Sequence, residues 1–443
     1  MTWRPRGTLR WLVPGMRVKR WLALAFLSMG VLTLAILYAF GIDLMRFLYR
    51  SFPLTQTTRY GLATGALLTS VAAFLYAILR LVRSVARGVA PASHEKMAAA
   101  VYRTRVLERA PRVVAIGGGT GLSTLLRGLK QVTANITAIV TVTDDGGSSG
   151  RLRDEFDVLP PGDVRNCLLA LAEDESRLSD YFQHRFQSPP ELAGHSLGNL
   201  VLVGLEQATG GFDRAIEAMS YFLNVRGRVL PATLTKTHLV ARFADGEVVE
   251  GETRIVQAGR RIARMSLSTS PVPAYERVLE AIAEADLIVL GPGSLFTSLV
   301  PNLLVNSIAE AIEKANAEKA LVANLMTQPG ETQGFTLSDH LRALNDYIHV
   351  GGFDLLFVNC EEPAEPLLAG YRSEAAEPVA DDLPTPNDYG LTVVREDLIG
   401  VADLEGKTTV KHDPDKLTRA LVRHTRTFAR RFGVEEPGDD NER

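Results

Sequence analysis

The chain has 443 residues, of which 46% are hydrophobic, and its 48 Lys and Arg stand against 51 Asp and Glu for a net charge of −3. This composition excludes a disordered polymer, and the 22% of charged residues exclude a protein that lies mostly within a membrane. Because no overall basic charge is present, we expect no nucleic-acid partner. The 2 cysteines, Cys167 and Cys360, are too few for a disulfide framework or a cysteine-only metal site.

The first hundred residues contain two long uncharged segments. Residues 21–42 and residues 61–79 contain no Asp, Glu, Lys or Arg. The first would form about 33 Å of helix, enough to cross a bilayer core of about 30 Å. Basic residues cluster before the first segment and after the second, so both ends of this region are expected in the cytoplasm. We therefore predict an anchor at residues 1–90, with two spans of the lipid bilayer, both termini cytoplasmic and localisation at the cytoplasmic membrane.

The rest of the chain is predicted to form a linker, one domain and a tail. Residues 91–110 resemble a linker helix, and residues 111–432 alternate apolar strands with helical patterns. This alternation predicts an α/β fold with a doubly wound, mostly parallel sheet and helices on both faces. An Asp-Gly pair at 245–246 divides two alternating segments, which predicts a β-hairpin insertion at about 237–256. Residues 433–443 are expected to be disordered. The main strand candidates are 112–116, 136–142, 286–290, 320–325, 354–359 and 391–394.

Three segments of small residues follow predicted strands, where a doubly wound sheet binds its ligands. The first, at 117–121, reads Gly-Gly-Gly-Thr-Gly and precedes a helical pattern. Its glycines allow close approach of the backbone, and the helix N-terminus offers amides to a phosphate. It is not a Walker loop, because no Gly-Lys-Ser/Thr follows, and it is not a dinucleotide fingerprint, because Leu122 stands at the third glycine position. A tight strand-to-helix turn is the alternative. The predicted ligand contacts are Gly118, Gly119, Thr120 and Gly121.

The second segment, at 144–151, contains two adjacent carboxylates followed by glycines, serines and an arginine. Asp144 ends the second predicted strand, where dinucleotide folds place an acid against ribose hydroxyls. Asp144 and Asp145 could also hold Mg²⁺, which prefers oxygen ligands. An Asp-Gly turn with capping serines is the alternative. The predicted ligand contacts are Asp144, Asp145, Ser148, Ser149, Gly150 and Arg151.

The third segment, at 291–294, again places small residues and a hydroxyl after a strand, although a plain loop is the alternative. Its candidates are Gly291, Gly293, Ser294 and the nearby Asn302. Two supporting segments add Asp163, Arg165, Asn166, His195 and Asn199. Asp163 also fits a helix N-cap, Arg165 fits a phosphate contact, and His195 fits a structural role as well as a catalytic one. The candidate catalytic residues are Asp144, Asp145, Asp163 and His195. No zinc-protease or serine-hydrolase motif appears.

Taken in order, eight strings resemble the gluconeogenesis factor family, a branch of the 2-phospho-L-lactate transferase superfamily. The strings, which span residues 111–430, are AIGGGTGLSTLLRGLK, TVTDDGGSSGRLR, LPPGDVRNCLLALA, GHSLGNL, NVRGRVLPA, GPGSLFTSLVPNLLV, NLMTQPGET and HDPDKL. The predicted membrane hairpin lies outside this resemblance and is found only in some members.

The resemblance implies a Rossmann-like fold and a nucleotide-sugar ligand such as UDP-N-acetylglucosamine or UDP-glucose. It implies a role that links carbon metabolism to cell-wall synthesis and cell shape. It also implies phosphate binding at 118–121, a nucleoside or metal at Asp144 and Asp145, and a sugar beside Asn224 and Arg226. The resulting hypothesis is a non-catalytic UDP-sugar-binding regulator. The alternatives are a Mg²⁺-dependent transferase of the 2-phospho-L-lactate transferase type and a scaffold with a vestigial nucleotide site. Proteins of cell-wall synthesis and a second copy of the chain are further candidate partners.

Overall fold

The computed structural model describes residues 106–404 and 407–432, with isolated positions between 47 and 58. The chain divides into two units, Met1–Arg105 and Val106–Arg443. The elements described below belong to the second unit.

The sequence predictions for the termini fall largely outside this range. The predicted spans at 21–42 and 61–79, most of the linker helix and the tail at 433–443 lie outside the described residues. Among the residues that are described, no helix is both long and apolar enough to cross a membrane.

Strands and helices alternate along the second unit. Within the described residues the strands are β1 (Val113–Gly117), β2 (Ile136–Val140), β3 (Arg228–Pro231), β4 (Leu239–Phe243), β5 (Val248–Glu250), β6 (Ile262–Leu267), β7 (Leu287–Leu290), β8 (Glu318–Val322), β9 (Leu355–Asn359), β10 (Thr392–Glu396), β11 (Ile399–Leu404) and β12 (Lys407–His412). The helices of the same range are α1 (Gly119–Leu129), α2 (Gly147–Phe156), α3 (Gly162–Leu171), α4 (Glu175–Phe182), α5 (Leu197–Thr209), α6 (Phe212–Phe222), α7 (Glu252–Ala258), α8 (Glu276–Ala283), α9 (Val300–Leu304), α10 (Ile308–Lys314), α11 (Leu337–Asn345), α12 (Glu365–Ser373), α13 (Pro414–His424) and α14 (Arg426–Phe432). A π-helix at Leu295–Leu299 and a 3-10 turn at Val350–Gly352 complete the set.

A parallel sheet organises this part of the chain. Its strand order within the described residues is β10-β9-β8-β7-β1-β2-β3, and each adjacent pair is parallel. The central strands β1, β2, β7 and β8 are fully buried, as expected for a sheet covered on both faces. The α/β class and the mostly parallel sheet are therefore confirmed. Because the chain builds one half from β1 to β3 and the other from β7 to β10, the strand order reverses between β1 and β7.

Side chains of the sheet alternate between two hydrophobic cores. In β1, Val113 and Ala115 join the core that contains α1, α3 and α13, whereas Val114 and Ile116 join the core on the opposite face. The buried leucines of α1 that face the first core are Leu122, Leu125, Leu126 and Leu129. This spacing puts them on one side of the helix and holds it against the sheet.

The segment after β3 forms a small antiparallel sheet. Strand β4 pairs with both β5 and β6, and the turn between β4 and β5 contains Gly246 at φ +90°, a left-handed conformation that favours glycine. Strand β6 was not predicted. A register shift beside Arg242 and Phe243 leaves Ile262 and Met265 as the buried residues of β6, three positions apart. This bulge removes the two-residue period by which a strand is recognised in sequence.

Helix α13 fixes β12 against α1. Asp413 caps α13 by accepting two backbone N–H groups of its first turn, each at 2.9 Å, and Pro414 stands near its start. The helix packs on α1 at Gly128, where a Cβ atom would collide with the Thr418 hydroxyl and the Pro414 carbonyl oxygen. The HDPDKL string is therefore a strand end followed by a capped helix start.

Substitution of Gly128 tests this contact. Gly128→Ala is expected to destabilise the domain by roughly 1–3 kcal/mol, because the methyl group overpacks the contact with α13. Gly204 in α5 has open space around its Cβ position, so Gly204→Ala is expected to stabilise the helix by up to about 1 kcal/mol. Thermal unfolding of both variants beside the parent chain measures the difference. Equal shifts in the two variants would contradict the packing at Gly128.

Candidate functional site

A cavity of about 540 Å³ opens at the point where the strand order reverses. Turns after three neighbouring strands line it: residues 118–121 after β1, 292–294 after β7 and 324–329 after β8. Helices α7 and α12 and residues 409–412 of β12 form further walls. Carboxyl ends of adjacent parallel strands meet here, which is where open α/β sheets bind ligands.

Glycines in the turn after β1 permit its close approach to neighbouring groups. A Cβ atom on Gly118 would lie 2.8 Å from Asp163 Oδ2, and one on Gly121 would lie 2.5 Å from the Pro292 carbonyl oxygen. Helix α1 begins at Gly119, whose φ is +60°. The first amides of α1 therefore lie at the cavity, in an arrangement suited to an anion.

A cluster of carboxyl groups also lines the cavity. Burial, followed by the charge of Asp144, raises the pKa of Asp163 to about 7. Burial also raises the pKa of Glu252, with the charges of Asp144 and Asp163 adding to the effect. The pKa of Asp144 is raised by burial as well, although the Gly146 N–H donates to this carboxylate at 2.8 Å. These groups therefore resist ionising together.

Asp145, the second predicted metal ligand, stabilises a helix instead of lining the cavity. Its Oδ1 accepts hydrogen bonds from the Thr253 N–H at 2.8 Å and the Thr253 hydroxyl at 2.7 Å, at the start of α7. Asp144 and Asp163 line the cavity and fit Mg²⁺, which commonly takes one or two carboxylates and completes its shell with water and phosphate oxygens. Among the described residues, no group of three or more His, Cys, Asp or Glu could hold a metal.

The rest of the second predicted segment begins α2 and lies behind the cavity wall. The Ser149 side chain hydrogen-bonds to Asp144. A Cβ atom on Gly150 would collide with the preceding backbone, and Arg151 donates to the Ala193 carbonyl at 2.8 Å. In this structure Ser149 supports the carboxylate, while Gly150 and Arg151 fix the start of the helix.

A buried polar network joins α2, α3 and α5 behind these residues. Arg165 donates to Asn166 Oδ1 at 2.8 Å and to Asn199 Oδ1 at 2.9 Å. The second bond orients the Asn199 amide, whose Nδ2–H donates to Ser148 Oγ at 3.0 Å. Ser148 Oγ also forms a hydrogen bond with His195 Nδ1, again at 3.0 Å. Burial lowers the pKa of His195, which is 1% exposed, and so favours the neutral ring. Since these side chains are outside the cavity lining, we assign them a positioning role.

The segment after β7 contributes to the cavity through its turn. Gly293 and Ser294 line the cavity, and Gly291 adopts φ +89° in the turn. Asn302 lies behind it, where its Nδ2 donates to the Gly117 carbonyl at 3.0 Å and to a carbonyl of the π-helix at 2.7 Å. Asn302 thus ties the π-helix to the end of β1.

Glu331 occupies the N-terminus of the π-helix, a contact that the sequence did not indicate. Its Oε1 accepts the Thr297 hydroxyl at 3.1 Å, and the carboxylate also accepts backbone N–H groups of Phe296 and Thr297. Burial raises the pKa of Glu331 to about 7. The Phe296 and Thr297 amides are therefore satisfied by an internal carboxylate, just as the Gly119 N–H at the start of α1 donates to Asp163.

Asn224 and Arg226 lie at the amino ends of the parallel strands, on the side of the sheet opposite to the cavity. Both precede β3, which runs parallel to β2, whereas the cavity lies beyond the strands' carboxyl ends. Arg226 donates to Glu173 Oε2 at 2.6 Å and to the Lys130 carbonyl at 2.8 Å, and Asn224 is exposed at φ +49°. The structure therefore does not bring these two residues to the cavity that contains the first three segments.

The sequence analysis found part of the lining and missed another part. The predicted ligand residues that line the cavity are Gly118, Gly119, Thr120, Gly121, Asp144, Asp163, Gly293 and Ser294. Lining residues that it did not name include Thr124, Glu252, Thr297, Gln328, Tyr371, Lys411 and His412. The strings NLMTQPGET and HDPDKL contain Gln328 and His412 and were the available signal for them.

The raised pKa of Asp163 predicts a pH-dependent stability. The pKa of this carboxyl group rises from 3.8 to about 7 in the fold, so between about pH 4 and 7 the folded state holds more protons and loses stability as pH rises. A shift of this size corresponds to as much as about 4 kcal/mol. Asp163→Asn is expected to show a smaller fall in Tm than the parent between pH 5.5 and 8. Asp180→Asn, at an exposed site, is the control, and an Asp163→Asn profile matching it would contradict the prediction.

Comparisons with known proteins identify the family. The family model described as 2-phospho-L-lactate transferase CofD matches residues 113–399. A putative gluconeogenesis factor of Nostoc sp. is 44% identical over 428 residues, which cover 94% of this chain and 92% of that protein. The gluconeogenesis factor of Bacillus subtilis is 46% identical over 312 residues, covering 70% of this chain and 97% of that protein.

A solved structure of a protein from Bacillus halodurans agrees with these matches. It is 47% identical, covers 71% of this chain and 100% of its own, and superposes with a TM-score of 0.67. The family model spans the three strand-end turns of the cavity, and so does the alignment with the Nostoc protein, since it covers 94% of this chain. The chain therefore belongs to the 2-phospho-L-lactate transferase CofD family and, within it, to the gluconeogenesis factors.

Proposed function

We propose that this chain is a membrane-tethered cytoplasmic regulator that binds a UDP-sugar and links carbon metabolism to cell-wall synthesis and cell shape. UDP-N-acetylglucosamine and UDP-glucose are the proposed ligands, and proteins of cell-wall synthesis are the proposed partners. The observation that carries the proposal is the 540 Å³ cavity at the reversal of strand order, a typical size for a small-ligand site. Its glycine turn and the N-terminus of α1 suit a diphosphate.

The acidic side chains of the cavity favour the binding of a cation together with the ligand. Asp144, Asp163 and Glu252 would repel a diphosphate if all were ionised. Their raised pKa values reflect burial first and the charges of neighbouring carboxylates second. A divalent cation between carboxylate and phosphate oxygens would remove this repulsion. We therefore propose Mg²⁺-assisted binding, with Asp144 and Asp163 holding the ion in place of the predicted pair Asp144 and Asp145.

Neighbouring aspartates provide a matched test of this site. Asp144→Asn is expected to weaken UDP-N-acetylglucosamine binding in Mg²⁺ at least about tenfold, because one charged ligand of the ion is removed. Asp145→Asn is expected to retain binding and to lower stability by about 1 kcal/mol through the weakened cap of α7. Calorimetric titration and thermal unfolding of the purified full chain measure the two effects.

Loss of binding in Asp145→Asn alone would contradict this assignment of the two residues. EDTA is expected to weaken binding to the parent chain, and unchanged affinity in EDTA would exclude the Mg²⁺ part. Absence of UDP-N-acetylglucosamine and UDP-glucose binding by the parent chain would refute the proposed function.

A Mg²⁺-dependent transferase of the 2-phospho-L-lactate type is the second candidate. It is favoured by the family match over residues 113–399 and by Asp163, whose pKa of about 7 suits a proton acceptor in the cavity. His195 is a weaker candidate because its Nδ1 is engaged by Ser148 and it lies outside the lining. Consumption of a nucleotide-activated donor that stops with EDTA and in Asp163→Asn would favour this function over the regulator.

The proposed membrane tether rests on the uncharged segments at 21–42 and 61–79. The alignment with the Nostoc relative covers 94% of this chain, so it must extend well into the first hundred residues. Full-length protein is expected in the membrane fraction after carbonate washing, whereas a chain lacking residues 1–90 is expected in the soluble fraction, because the apolar spans hold it. Recovery of the full-length chain in the soluble fraction would refute the tether.

A further inference from the structure

The loop at residues 328–335 packs against the start of the π-helix. At one end of the loop, the Gln328 side-chain amide donates to the Ser294 hydroxyl, just before the π-helix, at 2.7 Å. At the other end, the Phe335 ring meets the Phe296 ring edge to face, with 6.2 Å between the ring centroids. The loop therefore holds the π-helix by a polar contact and an aromatic contact.

Glu331 lies between these two contacts. It is 8% exposed, and it accepts the Thr297 hydroxyl and the N–H groups of Phe296 and Thr297. Its Oε2 is buried and has no hydrogen-bond partner among the described residues. A proton on Oε2 would neutralise the group and weaken the bonds to the π-helix, because a charged acceptor makes the stronger hydrogen bond.

The π-helix forms part of the cavity wall. Thr297 and Ser298 line the cavity. Ser298 Cβ lies 3.4 Å from the Cβ position of Gly118 and 3.2 Å from that of Gly293, so this side chain packs against the turns after β1 and β7. Since closely packed groups transmit small displacements, a shift at the start of the π-helix would reach both turns.

Charged groups from several elements surround Glu331. Burial first, and then neighbouring carboxylates that include Glu331, raise the pKa of Glu252 at the start of α7. On the side away from the cavity, Glu331 lines a pocket of about 280 Å³. The charged side chains that share this pocket are Arg260, Arg261 and Asp339. His340 lies behind the Phe335 ring, and burial lowers its pKa and so favours the neutral ring.

We propose that Glu331 is a positioning residue whose ionised carboxylate holds the π-helix in the arrangement that binds the ligand, so that the affinity of the cavity follows the charge of Glu331. This inference rests on the proposed function because it concerns the same cavity, although Glu331 itself is outside the lining. Burial raises the pKa of Glu331 to about 7, so its charge changes close to neutral pH. Ionisation of this group would tighten binding as pH rises.

The pH dependence of the affinity tests this inference. Calorimetry would measure UDP-N-acetylglucosamine binding in Mg²⁺ at pH 6 and pH 8, using the purified full chain, Glu331→Gln and Glu362→Gln. Glu331→Gln is expected to weaken binding about tenfold at pH 8. At pH 6 the parent group is itself mostly protonated, so the loss is expected to be only about twofold. Glu362 is exposed and outside the lining, and it is the matched control.

The ratio of the two affinities separates positioning by charge from simple packing. Asp144 and Asp163 titrate in both chains, so their effects largely cancel in this ratio. A ratio that is equal at pH 6 and pH 8 would overturn the inference. The same measurements in a Glu252→Gln background remove the charge interaction between Glu331 and Glu252. Disappearance of the pH dependence in that background would also overturn the inference, because the effect would then pass through Glu252.

A measurement without ligand separates this inference from the proposed function. Hydrogen–deuterium exchange of the π-helix amides at pH 8 is expected to be several-fold faster in Glu331→Gln than in the parent and in Glu362→Gln. Unchanged exchange would overturn the role of Glu331 and leave the proposed function intact. Faster exchange in a chain whose parent binds no UDP-N-acetylglucosamine would support the hold on the π-helix and refute the proposed ligand. Glu331→Gln is expected to keep a Tm close to that of the parent, and a large fall would show that Glu331 is needed for folding instead.

Discussion

The turns after β1 and β7 can touch because Gly121 has no side chain. Its Cβ position lies 2.5 Å from the Pro292 carbonyl oxygen, and Asn302 secures the same junction by donating to the Gly117 carbonyl at 3.0 Å. Since β1 and β7 are adjacent parallel strands whose chain connections run in opposite directions, their ends would otherwise leave an open crevice. The close contact gives that crevice a fixed floor, on which the cavity and its helix N-terminus depend.

The carboxyl groups above this floor make the cavity suited to binding a charged ligand. The fold gathers Asp144, Asp163 and Glu252 where burial raises their pKa values. Such an arrangement is costly for an isolated domain, because charged groups are desolvated without full compensation. A bound cation would supply the missing counter-charge. The same groups that make the domain sensitive to pH would thereby become those that recognise the ligand.

The sequence predicted the central strands well because their apolar runs are continuous, and it failed where burial depends on distant partners. Strand β8 begins at Glu318, earlier than predicted, because its buried carboxylate accepts the backbone N–H groups of Arg426 and Thr427 at 2.9 and 2.8 Å. A charged residue in a buried strand gives no strand signal until that partner is known. Likewise, Asn224 and Arg226 resemble site residues in the sequence, but they precede β3, whereas the cavity lies beyond the carboxyl ends of the parallel strands.

The sequence by itself determined the mostly parallel sheet and the glycine turn at 117–121, because continuous apolar runs and a cluster of glycines are patterns of consecutive residues. Only the tertiary structure decided that Asp144 faces the cavity while Asp145 caps α7. It also decided that Glu252 and Lys411, from separate parts of the chain, share the same lining. The physical reason is that burial, pairing and pKa depend on neighbours in space, and those neighbours are remote in the chain.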